Sequence, residues 1–175
     1  GMDVEMLNKA NEQAKREGTK VRGLVVINPG NPTGQCLEKA QMREIVQFCS
    51  ESGIALMADE VYQTNVYHTK PFYSFKQILG EMKQEEKATG STTLDDMTLV
   101  SFHSVSKGFL GECGRRGGYM EIVGMDADVQ MELYKLASVT LCSNVDGQIM
   151  TGLMTNPPTL GDESYELYKT EWSGI

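Results

Sequence analysis

The 175-residue chain is long enough for one domain with a substantial hydrophobic core. Its net charge of −8, without a basic block, argues against nucleic acid as a partner, and no apolar run is long enough to cross a bilayer. The four cysteines are scattered without a C-x-x-C pair, which favours reduced thiols in a cytoplasmic type of compartment and argues against a metal site.

The first half of the chain predicts alternating helices and strands. Asp3 to Arg16 has helical spacing of its apolar residues, and Val21 to Ile27 is an apolar run of strand length. A second helix is expected from Glu38 to Ser52, and a second buried strand from Ile54 to Ala58. Because a strand, a helix and a strand in succession form a parallel crossover, we expect an α/β fold with a mostly parallel sheet and helices on both faces.

The second half of the chain is predicted to add two strands and several helices. The segment from Pro71 to Met82 is expected to be partly helical, and the polar segment from Lys83 to Asp96 is expected to be an exposed loop. Strands are predicted at Thr98 to Phe102 and at Gly118 to Val123. Three further helices are predicted, at Asp128 to Leu141, Asp146 to Met154 and Asp162 to Trp172.

Polar residues follow each of the first three predicted strands. Asn31 lies in the proline- and glycine-rich loop after the first strand, and Asp59 and Tyr62 follow the second. Ser104 and Lys107 follow the third strand, ahead of a glycine-rich stretch with two arginines. Since ligands of parallel sheets lie beyond the carboxyl ends of the strands, we expect these side chains to converge on one site.

The residue types in this set point to a phosphorylated aldehyde. Lys107, set between small residues, becomes a nucleophile toward aldehydes when its site is dry or crowded with positive charge. Hydroxyl groups, glycine amides and a guanidinium group suit a phosphate dianion. Asp59 is suited to hold a pyridine nitrogen protonated, and Tyr62 and Asn31 are suited to contact a phenolic oxygen. The aldehyde with all of these features is pyridoxal phosphate.

Each of these residues also has a structural interpretation. Asn31 is suited to shape a turn, Asp59 to cap the residues after it, and Tyr62 to pack half-buried. The Ser-Val-Ser-Lys-Gly stretch also occurs in ordinary surface loops. His103 is expected to be structural, because no partner for it is evident in the sequence, and His68 is expected to lie in an exposed loop.

Three motifs resemble the class I and II aminotransferases, which are pyridoxal phosphate enzymes of fold type I, and they occur in the family's order. They are Asn28-Pro-Gly-Asn-Pro-Thr-Gly34, Ala58-Asp-Glu-Val-Tyr62 and Ser104-Val-Ser-Lys107. The extended stretches around Tyr62 and Lys107, together with Leu141-Cys142, Gly147-Gln148 and Asn156-Pro-Pro158, are similar to the alanine aminotransferase branch. The resemblance covers nearly the whole chain.

The resemblance implies a role for each catalytic residue. Lys107 would be the Schiff-base lysine that binds the cofactor and moves a proton on the substrate. Asp59 would pair with the pyridine nitrogen. Tyr62 and Asn31 would contact the phenolic oxygen, and Asn31 would also contact the substrate carboxylate. Lys107, Asp59 and Tyr62 are therefore the expected catalytic set.

The resemblance also implies a phosphate site. Ser104 and one arginine would bind the phosphate, and Ser106 is assigned to the same cofactor site. In most relatives the arginine falls eight residues after the lysine, which is Arg115 here, whereas the alanine branch has one more residue, which gives Arg116. We favour Arg116, because the Gly-Gly-Tyr sequence that follows then aligns with the branch.

The resemblance further implies the reaction of the full-length protein, which would convert L-alanine and 2-oxoglutarate into pyruvate and L-glutamate. One alternative is a glutamate:glyoxylate aminotransferase of the same branch. Another is a non-catalytic ligand-binding module on the same fold, although the presence of Lys107, Asp59 and Tyr62 together argues against it.

Members of this family are much longer than this chain. Residues 2–175 are therefore expected to be a central part of the cofactor-binding large domain, without the upstream phosphate loop and the downstream small domain. We expect this part to be inactive alone and to expose apolar edges. The full-length protein is expected to be a cytoplasmic homodimer that acts on amino acids and 2-oxo acids, with a mitochondrial location as the alternative.

Overall fold

The computed structural model of the protein, which describes residues 2–67 and 70–174, is organised around a four-stranded sheet. Strands β1, β2 and β3 are parallel, and β4 is antiparallel to β3, in the spatial order β1-β2-β3-β4. The α/β class and the mostly parallel sheet are thus confirmed. The strands are β1 (Gly23–Ile27), β2 (Ala55–Asp59), β3 (Leu99–Ser104) and β4 (Gly118–Val123).

Six α-helices accompany the sheet, and local capping explains where several of them begin and end. The side chain of Asp3 accepts a hydrogen bond from the backbone N–H of Glu5 and so caps the first helix, as predicted. The second helix ends at Gly53, whose φ of 61° is left-handed. The helices are α1 (Val4–Arg16), α2 (Lys39–Ser52), α3 (Phe75–Thr89), α4 (Ala127–Ser138), α5 (Val145–Thr155) and α6 (Tyr165–Ser173).

The prediction of a loop from Lys83 to Asp96 is wrong, because helix α3 continues to Thr89 and so includes the first half of this segment. The Glu and Lys residues of this stretch are strong helix formers, and they occupy the outer face of a helix whose inner face is apolar. After the helix, the carboxylate of Glu86 accepts a hydrogen bond from the N–H of Leu94 at 3.0 Å, and Leu94 is buried. The polar composition therefore marked an exposed helix face rather than a loop.

Helices α2 and α3 cover one face of the sheet and form the core with it. Each large apolar side chain buried there contributes about 1.5–3 kcal/mol. The other face of β1 is different, because Val25 is 57% exposed and Ile27 is 43% exposed. The sequence predicts helices on both faces of the sheet, but at β1 the described residues cover only one face. The core side chains include Val26, Leu56, Ala58 and Leu99 from the strands and Met42, Ile45, Val46, Ile78 and Leu79 from the helices.

Helix α4 has the predicted position, but its apolar face is not buried. Val129 and Leu136, which the helical spacing places on one face, are 50% and 69% exposed. Helical spacing identifies an apolar face but not the element that covers it, and the described part of the chain does not cover this one. No helix among the described residues is both long enough and apolar enough to cross a membrane.

Candidate active site

The three segments predicted to converge do meet at the carboxyl ends of the parallel strands. The side-chain amide of Asn31, in the loop after β1, donates a hydrogen bond to the hydroxyl oxygen of Tyr62 at 3.2 Å. The Nζ atom of Lys107, in the turn after β3, lies 5.5 Å from the centre of the Tyr62 ring. Tyr62 is thus the residue around which the other two segments are arranged.

Backbone hydrogen bonds hold the strand ends side by side beyond the sheet. The N–H of Asn28 donates to the carbonyl oxygen of Asp59 at 3.0 Å, and the N–H of Glu60 donates to the carbonyl oxygen of Phe102 at 3.2 Å. The Asn28 side chain, which is 1% exposed, accepts from the N–H of Leu37 at 2.9 Å. These bonds fix the position of Asp59 between the two neighbouring segments.

The carboxylate of Asp59 caps the turn that follows it, as the structural interpretation predicted. Its Oδ1 atom accepts a hydrogen bond from the N–H of Val61 at 3.3 Å. Its Oδ2 atom makes no hydrogen bond within residues 2–67 and 70–174. Capping and ligand binding are therefore compatible, because each oxygen of the carboxylate can serve one purpose.

The turn that carries Lys107 is fixed by Ser104. The Ser104 hydroxyl accepts from the N–H of Ser106 at 3.1 Å and donates to the carbonyl oxygen of Gly117 at 3.2 Å. These two bonds join the lysine turn to the start of β4. Because a hydroxyl group has one proton and can rotate, Ser104 can donate to an anion in place of the Gly117 carbonyl oxygen. Lys107 itself is exposed, and Ser106 is half-buried beside it.

The two arginines have different environments. Arg115 forms an ion pair with Asp146 at 2.8 Å and lies 3.8 Å from Glu112. Arg116 adopts a left-handed backbone conformation with a φ of 53°, and its guanidinium donates to the carbonyl oxygen of Cys113 at 2.9 Å. Within the described ranges no carboxylate lies within 4.0 Å of Arg116. The guanidinium of Arg116 is therefore available to an anion, whereas that of Arg115 is already neutralised.

Close contact between glycines brings Arg116 to the surface of helix α5. A side chain at Gly117 would collide with the carbonyl oxygen of Gly147, so the two backbones touch. Arg116 and Gly117 line a surface cavity of about 290 Å³ together with residues of the first turns of α5 and the segment before it.

A larger cavity of about 580 Å³ is lined in part by Lys107. Phe109, from the lysine turn, contacts Tyr168 of α6 edge to face, with ring centres 5.3 Å apart. Trp172 of the same helix also lines this cavity. The last helix therefore lies next to the lysine turn, which the sequence did not indicate.

Two polar side chains near the carboxyl ends of β2 and β3 are partly or fully buried. Glu60 is 4% exposed, and its Oε1 atom accepts from the N–H of Phe75 at 2.7 Å; burial raises the pKa of Glu60 to about 7, against that hydrogen bond. His103 lies edge-on to Tyr119 at 5.9 Å, and burial lowers its pKa while the charge of Asp59 opposes this. The Nδ1 atom of His103 is buried without a hydrogen-bond partner among the described residues, so its structural role stays a prediction. His68 lies outside the described residues.

Replacing Glu60 by glutamine should flatten the pH dependence of stability. Between pH 4.5 and about 7 the folded chain keeps a proton on Glu60 that the unfolded chain has lost. The contribution of Glu60 to the free energy of unfolding is thus complete below pH 4.5, and it is lost as the pH rises through 7. The free energy of unfolding of the Glu60→Gln chain relative to the native chain should rise by about 2 kcal/mol between pH 5 and pH 7.5, at about 1.4 kcal/mol per pKa unit, and urea unfolding at the two pH values would measure it.

The native chain is the control, because it shares His103, whose lowered pKa acts in the opposite direction. The contribution of His103 to the free energy of unfolding is lost as the pH falls below 6.5. Because both proteins contain His103, this contribution cancels when they are compared. Free energies of unfolding that run parallel between pH 5 and 7.5 would contradict the assignment.

Sequence reasoning missed three polar residues that build this region: Asn28, Glu60 and Asn65. Asn28 and Glu60 directly follow the apolar strands β1 and β2, and that position is the signal that could have identified them. Asn65 accepts a hydrogen bond from the N–H of Gly108, next to Lys107, at 3.0 Å. Nothing in the sequence near Asn65 indicates that contact, because 43 residues separate the partners.

Comparisons with known proteins show which family this chain resembles. The family model described as aminotransferase class I and II matches residues 1–166. Alanine aminotransferase 2, mitochondrial, of Arabidopsis thaliana is 51% identical over all of this chain, which covers 31% of that protein. Glutamate–glyoxylate aminotransferase 1 of the same plant is 49% identical, again over all of this chain and 35% of the relative.

A solved structure shows the same fold. Alanine aminotransferase from Pyrococcus furiosus matches with a TM-score of 0.64 and 23% identity, over 89% of this chain and 34% of that one. The chain thus spans about a third of the length of the proteins that it matches. With the family model matching almost its entire length, the chain belongs to the class I and II aminotransferases.

Proposed function

We propose that residues 2–175 form the lysine-bearing central part of the large domain of an alanine aminotransferase. The full-length protein would transfer the amino group of L-alanine to 2-oxoglutarate. The observation that carries this proposal is the meeting of Lys107, Tyr62 and Asn31 at the carboxyl edge of the sheet, beside Asp59. An amine, a phenol, an amide and a carboxylate in one place are the groups that amino transfer requires.

The residues present fit pyridoxal phosphate as the cofactor. The Oδ2 atom of Asp59 would bind the pyridine nitrogen, and the Tyr62 hydroxyl, held by Asn31, would bind the phenolic oxygen. Ser104 would donate to the phosphate, and Ser106 would lie within the same site. When bound, the cofactor supplies an electron sink for the bonds at the substrate's α carbon. The donor set matches the aldehyde, ring nitrogen, phenol and phosphate of this molecule.

The protein's own contribution to the reaction is proton transfer and orientation. The amine of Lys107 would take a proton from the α carbon of the amino acid and deliver it to the carbon on the other side of the amino nitrogen. Tyr62, whose ring centre lies 5.5 Å from the amine, would limit where that amine reaches. Asp59 would keep a proton on the ring nitrogen through a charge-assisted hydrogen bond.

The second candidate reaction, between glutamate and glyoxylate, is favoured by the relative with that name at 49% identity. The test is a coupled assay of the full-length protein, with alanine and 2-oxoglutarate in one arm and glutamate and glyoxylate in the other. We expect a higher kcat/KM in the first arm. A higher value in the second would replace the proposed substrates, and no turnover in either would favour a non-catalytic binding module.

The phosphate ligand is expected to be Arg116 rather than Arg115. Arg116→Ala in the full-length protein should weaken binding of pyridoxal phosphate by about 1.5–3 kcal/mol for each charged hydrogen bond lost. Arg115→Ala is the matched control and should have a smaller effect, because its guanidinium is paired with Asp146. A titration that ranks the two variants in the opposite order would assign the phosphate to Arg115.

Partners and compartment are also proposed. We propose a homodimer for the full-length protein, on the basis of the resemblance to the aminotransferases. The proposed compartment is the cytoplasm. A mitochondrial location is the alternative, which the name of the Arabidopsis alanine aminotransferase favours.

A further inference from the structure

The side chain of Asn65 connects the turn that carries Tyr62 to the turn that carries Lys107. Its own backbone N–H donates to the carbonyl oxygen of Tyr62 at 2.8 Å, which closes the first turn. Its Oδ1 atom accepts from the N–H of Gly108 at 3.0 Å, in the second turn. Its Nδ2 atom donates to the hydroxyl oxygen of Tyr67 at 2.9 Å, so the orientation of the amide is fixed at both ends.

The same two turns are also in direct steric contact. Gly108 has a left-handed φ of 66°, and a Cβ atom at this position would collide with Oγ1 of Thr64. The next nearest atom, Cβ of Thr64, would lie at an ordinary distance of 3.6 Å. One glycine therefore serves both the conformation of the lysine turn and its close approach to the tyrosine turn.

We propose that Asn65 is a positioning residue that fixes the amine of Lys107 relative to Tyr62. The proposal rests on the proposed function, in which both side chains act on one cofactor. A lysine side chain is long and flexible, so its reach is set by where its backbone is held. The backbone next to Lys107 is held by a side chain that also closes the turn of Tyr62. The separation of the two functional groups thus depends on one hydrogen-bonded amide.

A residue that only stabilises the fold would affect activity through the amount of folded protein. A positioning residue would instead change the chemistry of the lysine at a constant amount of folded protein. A misplacement of about 1 Å at a reacting group costs on the order of a hundredfold in rate. The two interpretations therefore predict different results in measurements made on folded protein.

The test compares Asn65→Leu with Asn65→Asp in the full-length protein. Leucine is similar in size but cannot accept from Gly108, whereas aspartate keeps an acceptor for that N–H and can accept from the Tyr67 hydroxyl. The readouts are kcat and KM for alanine, the pH midpoint of the visible absorbance of the lysine-bound cofactor, and thermal unfolding. We expect the leucine variant to lose about ten- to a hundredfold in kcat and to shift the pH midpoint.

The aspartate variant should keep kcat within about threefold of the native value. This loss is much smaller than the loss expected when the lysine is misplaced. Equal losses in the two variants, or a leucine variant with an unchanged pH midpoint and kcat, would overturn the proposal. Should the native protein itself show no turnover and no cofactor on Lys107, the proposed function fails instead. The two failures are therefore distinguishable.

A second pair of variants decides the matter if Asn65→Leu does not fold. Gly108→Ala alone should reduce kcat and shift the pH midpoint, because the new methyl group separates the two turns. Adding Thr64→Ala removes the colliding Oγ1 atom, so the double variant should recover part of the lost activity, with the strain of the left-handed φ remaining. A double variant no better than Gly108→Ala would contradict a role for contact between the turns.

Discussion

Replacing Asp59 by alanine in the full-length protein is expected to slow the alanine half-reaction by several orders of magnitude. The carboxylate lies at the end of β2, and its Oδ1 atom is used by the N–H of Val61. Oδ2 would stabilise the protonated ring nitrogen, and without that charge the electron sink is lost. Single-turnover absorbance changes with alanine would measure the effect directly.

Asp59→Asn separates the charge of this residue from its structural role. Asparagine keeps an acceptor for the N–H of Val61 and so preserves the turn, but its neutral amide does not stabilise a protonated ring nitrogen. We therefore expect Asp59→Asn to fail nearly as badly as Asp59→Ala. A rate close to that of the native protein in either variant would refute the assigned role, and an active Asn variant beside an inactive Ala variant would show that capping alone matters.

Lys107→Ala should abolish turnover, because no other described side chain of the site supplies an amine. Tyr62 lies next to Lys107 but brings a phenol, and Asn31 brings an amide. Both lack the nucleophilicity toward an aldehyde that an unprotonated amine has. Steady-state assays with alanine and 2-oxoglutarate would measure the loss, which should reach the background of the coupled assay.

Lys107→Arg is the matched control for this variant. Arginine keeps the positive charge and much of the length of lysine, but it stays protonated and is therefore not a nucleophile. It should be as inactive as Lys107→Ala while it holds the phosphate-bearing cofactor more tightly. An arginine variant with substantial turnover would mean that the charge at position 107, and not its amine chemistry, is what the site needs.

The sheet and the position of the site could be predicted from the sequence because both follow from local patterns. Short apolar runs fixed β1, β2 and β3 to within a few residues, and the rule that ligands lie at the carboxyl ends of parallel strands placed Asn31, Asp59 and Lys107 together.

The contacts that hold the site together could not be predicted in this way. Asn65 reaches Gly108 across 43 residues, and only the folded chain brings them together. The polar stretch after Met82 was assigned to a loop because composition does not distinguish a loop from the outer face of a helix. Likewise, the apolar spacing of α4 predicted the helix but not what covers its apolar face, and Leu136 is 69% exposed. Each of these points concerns what an element packs against, which is tertiary information.

The most direct test of the account is to identify the lysine that binds the cofactor. The full-length protein is mixed with pyridoxal phosphate, and borohydride then reduces the carbon–nitrogen double bond that forms when an amine condenses with the aldehyde and releases water. Peptide mapping by mass spectrometry locates the modified residue, with Lys107→Ala as the control. The account predicts the label on Lys107 and its loss in the control. A label on another lysine, with Lys107 unmodified, would contradict it.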